Sequence, residues 1–216
     1  MICMRKEIIS PAQIVQIPDS PILRLDNFCS YSDGNFVDKL GNLYSCATQP
    51  LFWSNGFSSA AISIGKSLLN HSNCSISFFI QIRNNNSKII VSFGNILENG
   101  LWVECKENIL FVKDNSGVLF FSQIKKSLTL GFTKEGTIIR FYLNGVFQSE
   151  LTRSINTENS TTITVASKDR MNNFIAYDKT LTDSQMNDLH LLFIQGSSGV
   201  DRWGYMTSKQ TFSMET

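Results

Sequence analysis

Short runs in which apolar and polar side chains alternate occupy most of the chain, and their period of two predicts β-strands. The clearest run is Cys74 to Arg83, where Ile76, Phe78, Ile80 and Ile82 alternate with Ser75, Ser77, Phe79 and Gln81. One face of that strand is wholly apolar. Asn84-Asn85-Asn86 turns the chain into a second run, Lys88–Phe93, where Ile89, Val91 and Phe93 are expected to share a face. Further runs follow at Leu101–Cys105, Asn108–Lys113, Val118–Phe121, Ser127–Phe132, Thr137–Leu143, Val146–Leu151, Thr161–Ala166 and Asn173–Asp178. Strand signals spaced about 8–15 residues apart favour a sandwich or barrel over βαβ units. The expected core contains Ile76, Phe78, Ile80, Ile82, Leu128, Leu130 and Phe132.

Two local signals fix the register more tightly. Asn144-Gly145 sits between two apolar runs, and a two-residue turn of this type needs positive φ at both positions. It predicts a hairpin in which Leu143 faces Val146 and Tyr142 faces Phe147. From Asp183 to Phe193 the period lengthens, and Met186, Leu189, His190 and Phe193 fall on one face of a helix. Thr182 and Gln185 have the spacing of a capping box, with Leu181 and Met186 spaced as a hydrophobic staple.

Outside these elements, residues 1–21 and 196–216 have little periodicity and read as arms around a domain at 22–195. Both arms carry large apolar residues, and Trp203, Tyr205 and Phe212 are candidates for packing on another subunit. The opening residues contain no apolar stretch of signal-peptide length, and no window reaches the roughly 20 apolar residues that span a bilayer.

Composition narrows the chemistry. The net charge is +1 with 17% charged residues, so there is no basic field to attract nucleic acid. The five cysteines, Cys3, Cys29, Cys46, Cys74 and Cys105, are odd in number and lack C-x-x-C spacing, which points to buried free thiols. Only His71 and His190 are available as imidazoles. That leaves no transition-metal set and no Ser/His/Asp arrangement, and His190 reads as a boundary residue of the helix. Asp33, Asp38, Asn42 and Asp169 offer oxygen ligands for calcium. Surface turn chemistry explains all of them without a metal and is the favoured reading, so no cofactor is expected.

Three motifs carry a resemblance. Phe174-Ile175-Ala176-Tyr177-Asp178-Lys179-Thr180-Leu181-Thr182-Asp183 resembles the closing strand and helix start of laminin-G-like domains of the concanavalin A-like superfamily. Ile139-Arg140-Phe141-Tyr142-Leu143-Asn144-Gly145-Val146 is similar to the hairpin that precedes it there, and Val37-Asp38-Lys39-Leu40-Gly41-Asn42 to its entry loop. The resemblance spans roughly residues 22 to 194 and implies an all-β fold. The expected fold is an antiparallel two-sheet jelly-roll sandwich (concanavalin A-like) with one short C-terminal helix and irregular terminal arms. Such domains recur in lectins, glycanases, adhesion proteins and phage virion proteins, so fold alone does not fix function.

A glycanase of this superfamily would need two carboxylates on one strand face about 5–5.5 Å apart. The nearest approach, Glu104-Cys105-Lys106-Glu107, has the wrong spacing. A non-catalytic binding or structural protein is therefore expected, with no enzyme activity. Candidates for a sugar-binding surface are Trp53, Asn55, Phe79, Gln81 and Trp102. Phe79 either lines a groove or packs under a neighbouring layer, and Trp102 is expected in the core. The leading expectation is a phage virion component of a head, tail or fibre, with other virion subunits and cell-surface glycans as partners and a homo-oligomeric state. A secreted or cell-surface carbohydrate-binding module is the alternative, and a glycan hydrolase the third.

Overall fold

The computed structural model describes residues 18–194 apart from 27–28, 54–55, 66–67, 83–87, 98–99, 125–126, 155–160 and 167, and for Trp53 and Asn172 it describes the backbone only. Two antiparallel sheets face each other across one core. Sheet A runs in the order β15 (Val146–Thr152), β14 (Ile138–Leu143), β13 (Ser127–Glu135), β8 (Asn73–Gln81), β17 (Arg170–Tyr177), β6 (Gly56–Ser58) and β5 (Leu51–Trp53). A short strand, β1 (Leu23–Leu25), pairs with the C-terminal half of β17. Sheet B runs β12 (Gly117–Gln123), β11 (Ile109–Asp114), β10 (Leu101–Lys106), β9 (Lys88–Phe93), β16 (Thr161–Val165), β7 (Ala60–Ile64), β4 (Leu43–Cys46), β3 (Asn35–Val37) and β2 (Ser30–Ser32).

The alternation read from the sequence places the core. Ile76, Phe78, Ile80 and Ile82 on β8 and its end, with Leu128, Leu130 and Phe132 on β13, all point inward and are buried. Phe78 stacks on Phe174 at 5.4 Å, and Phe132 meets Phe93 of the opposite sheet edge-on at 6.0 Å. Where the sheets close at the β12 and β15 side, Phe120 stacks on Phe141 at 5.6 Å. Arg153 holds buried Asp114 at 2.7 Å at that rim.

Four bulges among the described residues bend strands locally, since an extra residue on one strand breaks the ladder and increases its twist. Between Val103 and Glu104 the register on β9 jumps from Val91 to Ile89. Ile90 and Val91 both point inward as a result, and half-buried Ile89 turns outward. The common face expected for Ile89, Val91 and Phe93 is thus corrected: strict alternation fails because the bulge inserts one residue. A second bulge lies at Asn172 of β17, where the register on β8 passes from Met171–Ile80 to Asn173–Phe79, and the other two lie on the outermost strands, at Leu119 of β12 and Gln148 of β15.

The Asn144-Gly145 turn has φ of 51° and 77°, and Leu143 pairs with Val146 and Tyr142 with Phe147, as the sequence predicts. The helix α1 spans 183–194. Thr182 N–H donates to Gln185 Oε1 at 3.0 Å and Gln185 N–H donates back to Thr182 Oγ1 at 3.3 Å, so the capping box forms. Leu181 and Met186 are both buried in the cluster beneath the helix, where the staple places them.

At the N-terminal end, Tyr177 O–H donates to Pro18 O at 3.1 Å and Lys179 Nζ to Asp19 O at 2.7 Å. Residues 1–17 and 195–216, with Trp203, Tyr205 and Phe212, lie outside the described residues. Cys29, Cys46, Cys74 and Cys105 are buried free thiols; Cys3 lies outside the described residues. Burial pushes the Cys29 thiol up to about 12 and Cys74 up to about 11, which leaves both protonated and unreactive at neutral pH.

Candidate functional site

The two sheets treat their outward faces differently. On sheet A, Phe79, Tyr142, Ile175 and Tyr177 form an apolar patch, and Leu181, Met186, Leu189 and Phe193 cover it from the helix side. Two glycines let α1 lie flat on the strands. A Cβ at Gly131 would collide with Met186 Cε, and one at Gly145 would come within 2.8 Å of Asn187 Cα and His190 Cβ. Polar contacts then pin the helix: Tyr142 O–H donates to Asp183 Oδ1 at 2.7 Å, and Thr129 Oγ1 shares a hydrogen bond with His190 Nδ1 at 2.9 Å. Burial lowers the affinity of His190 for a proton, so the neutral ring is the form that fits. The helix thus covers this part of sheet A.

Sheet B has no such cover among the described residues. The β10–β11 hairpin turns at Glu107 and Asn108, both with positive φ, and sets Trp102 opposite Lys113 and Glu104 opposite Phe111. The register continues outward to β12, where Phe121 stands opposite Phe111 and Val118 opposite Lys113. It continues inward to β9, where Ser92 stands opposite Trp102 and Ile89 opposite Glu104. Residues directly opposed on neighbouring strands share a face. Trp102, Phe111 and Phe121 therefore lie on one open surface with the Lys113–Glu104 ion pair, at 2.8 Å, between them. Lys113 Nζ sits 5.0 Å from the Phe111 ring centre, a cation–π contact that ties the pair to the aromatic group. Trp102 and Phe111 are half-buried yet belong to neither core cluster, and Phe121 is 67% exposed.

The same face continues beyond Trp102 as a row of small polar residues. Ser92 pairs with Thr162, Thr162 with Ser63, Ser63 with Ser45, and Ser45 with Asn35. Among the described residues no side-chain hydrogen bond engages the hydroxyls of Ser45, Ser63, Ser92 or Thr162.

Against this geometry the five sugar-site candidates separate. Phe79 is only 3% exposed and packs under α1, so its expected groove role is corrected: the helix takes the face on which a ligand would lie. Gln81 ends β8 on sheet A, half-buried opposite Arg170 and Ser127. Trp53 pairs in the β5–β6 hairpin with Gly56, its side chain outside the description, and Asn55 lies outside the described residues. Trp102 is the candidate whose surroundings suit binding. Its expected core position is corrected, because Leu101, Val103 and Cys105 take the inward positions of β10. Phe111 and Phe121 went unrecognised in the sequence. Their signal was the Glu107-Asn108 turn, which fixes which residues of β10 and β11 face each other.

The acids and oxygen ligands have structural partners. Glu104 is ion-paired on the sheet and Glu107 sits in the turn, so the two do not flank one bond. Asp38 is nearly buried and accepts N–H from Leu40 at 2.9 Å, and from Asn42 at 2.7 Å (backbone) and 3.0 Å (side chain). Asp33 accepts the Ser32 hydroxyl at 3.0 Å, and Asp169 pairs with Lys88. No group of three or more His, Cys, Asp or Glu is set for a metal among the described residues. Likewise, no described helix is long and apolar enough to cross a membrane.

No family model matches the chain, and no curated protein matches it. Solved structures do. The receptor binding domain of botulinum neurotoxin D superposes with a TM-score of 0.61 at 15% identity, over 82% of this chain and 53% of the other. The binding domain of botulinum neurotoxin DC in complex with rat synaptotagmin II gives 0.60 at 17% identity, over 82% and 52%. The same binding domain in complex with SialylT gives 0.58 at 18% identity, over 81% and 51%. The likeness is one of fold. The chain spans about half the length of these domains, and the receptors in their names belong to the whole proteins.

Proposed function

We propose that this chain is a non-catalytic binding module, a laminin-G-like sandwich that presents the outer face of sheet B to a receptor. The observation that carries the reading is the asymmetry of the two faces. A helix covers the apolar patch of sheet A, whereas Trp102, Phe111 and Phe121 stay on the surface of sheet B without joining either core cluster. Large aromatic side chains held outward by rigid strands are a recurring device of binding surfaces. The structurally similar domains are named as receptor-binding, which supports a binding role and not a catalytic one.

The setting we propose is a phage virion, where the module would decorate a head, tail or fibre, assemble with copies of itself and touch the host surface. Buried free thiols suit a chain that folds in a reducing compartment, and the arms suit attachment to neighbouring subunits. A secreted or cell-surface adhesion module is the second reading, favoured by the names of the similar domains. Fractionation of the native source decides between them. Co-sedimentation with assembled particles is the expected result; recovery only in the cell-surface or secreted fraction would reject the virion setting. Incubation of the purified chain with polysaccharides is expected to release no reducing sugar.

A further inference from the structure

Resting on the binding-module reading, we infer that the ligand of sheet B is a neutral oligosaccharide lying across its strands, stacked on Trp102 and flanked by Phe111 and Phe121. Three features of the face fit that chemistry together. Aromatic rings offer apolar faces to the C–H side of a pyranose, gaining area burial and stacking without demanding charge. Glu104 and Lys113 supply a carboxylate acceptor and ammonium donors beside the rings, and as a pair at 2.8 Å they leave no net charge. Beyond Trp102 the row Ser92, Thr162, Ser63 and Ser45 offers hydroxyls, which donate and accept as sugar hydroxyls do.

The geometry sets the direction of the ligand. Opposed residues on adjacent strands repeat about every 4.8 Å across a sheet. The row from Trp102 through β9, β16 and β7 to Ser45 of β4 therefore extends for about 20 Å, room for a chain of several sugar units rather than one ring. Other occupants fit less well. An anionic surface, whether lipid or nucleic acid, would find Lys113 already neutralised by Glu104 and a single exposed lysine, Lys106, on the outward face of β10. An amphipathic protein segment would need a continuous apolar groove, and here hydroxyls interrupt it from Ser92 onward. The complementarity is with a neutral, polyhydroxylated, partly apolar chain.

The test is saturation-transfer NMR and calorimetry on the full chain with four neutral probes, cellopentaose, xylopentaose, maltopentaose and chitopentaose, beside a heparin pentasaccharide. The expected result is saturation transfer to at least one neutral probe and none to heparin. Trp102→Ala is then expected to weaken binding tenfold or more with an unchanged far-UV circular dichroism spectrum. Phe121→Ala, at a position already 67% exposed and so unable to unfold the sheet, is expected to weaken it about threefold. Sugar binding that survives both substitutions would overturn the assignment of the face. Binding to heparin alone would overturn the neutral ligand. Concentration-dependent self-association abolished by Phe121→Ala would overturn it too, by making a second copy the occupant. Binding to cells or particles by a chain silent to every sugar would sink the ligand class and spare the module; silence in both assays would remove the module as well.

Discussion

The outer faces of sheets A and B are built from the same alternating strands and end differently. On sheet A the outward residues include Phe79, Tyr142 and Ile175, and a twelve-residue helix seals them against Met186, Leu189 and Phe193. On sheet B the outward aromatics are interleaved with Glu104, Lys113 and a row of hydroxyls, and they stay half-buried or exposed. The lesson is that aromatic residues facing outward do not by themselves announce a binding surface. What separates the two faces is the small residues: Gly131 and Gly145 make room for a docked helix, and the open face of sheet B carries ion-paired and hydroxyl side chains instead.

The largest test of that contrast removes one ring from each face. Phe193→Ala should cost about 3–5 kcal/mol, since a fully buried ring is lost and a cavity remains. Phe121→Ala should change stability by less than about 0.5 kcal/mol, as expected for an exposed position. Urea unfolding measures both, and similar costs for the two would abolish the distinction between a sealed and an open face. Next in size, Gly131→Ala should destabilise by about 1 kcal/mol, because the added methyl must push the end of the Met186 side chain aside, and that cost should shrink in a Met186→Ala background. Full additivity in that cycle would mean that the helix does not rest on Gly131.

These residues also show how far a sequence carries. The β8 and β13 alternation, the Asn144-Gly145 register and the Thr182–Gln185 box were legible because each is local chemistry with one geometric solution. The strands between residues 23 and 64 were not, because most are three or four residues long, too short to display a period. Trp102 was misread as core and Ile89 as inward for one reason: a bulge and a turn set the phase of β9 and β10, and neither has a strong signature. Phe79 posed a different problem. Its strand shows that it faces outward, but only the tertiary fold shows that α1 lies over it.

Smaller effects sharpen the helix side further. Tyr142→Phe removes the donor to Asp183 and should cost about 1 kcal/mol, because the exposed carboxylate recovers water. Acid should act through His190. Burial lowers its proton affinity in the folded chain, so below the ordinary imidazole value of about 6.5 the unfolded chain binds more protons. Stability should fall as pH drops through that value, and His190→Gln should flatten the dependence between pH 7 and 5. An unchanged slope in the variant would place the acid sensitivity elsewhere.

The bulges at Leu119 and Gln148 bear on solubility. β12 and β15 are the outermost strands on one side of the sandwich, and both carry exposed apolar residues, Val118 and Phe121 on one, Val146 and Phe147 on the other. Flat, apolar, unpaired edges are templates for runaway strand addition, the route to amyloid-like fibres. Here an incoming strand meets a ladder that is offset by one residue partway along, so it aligns with only one half of the edge at a time. The offset lets the sandwich keep sticky side chains at its rim without sheets growing into one another.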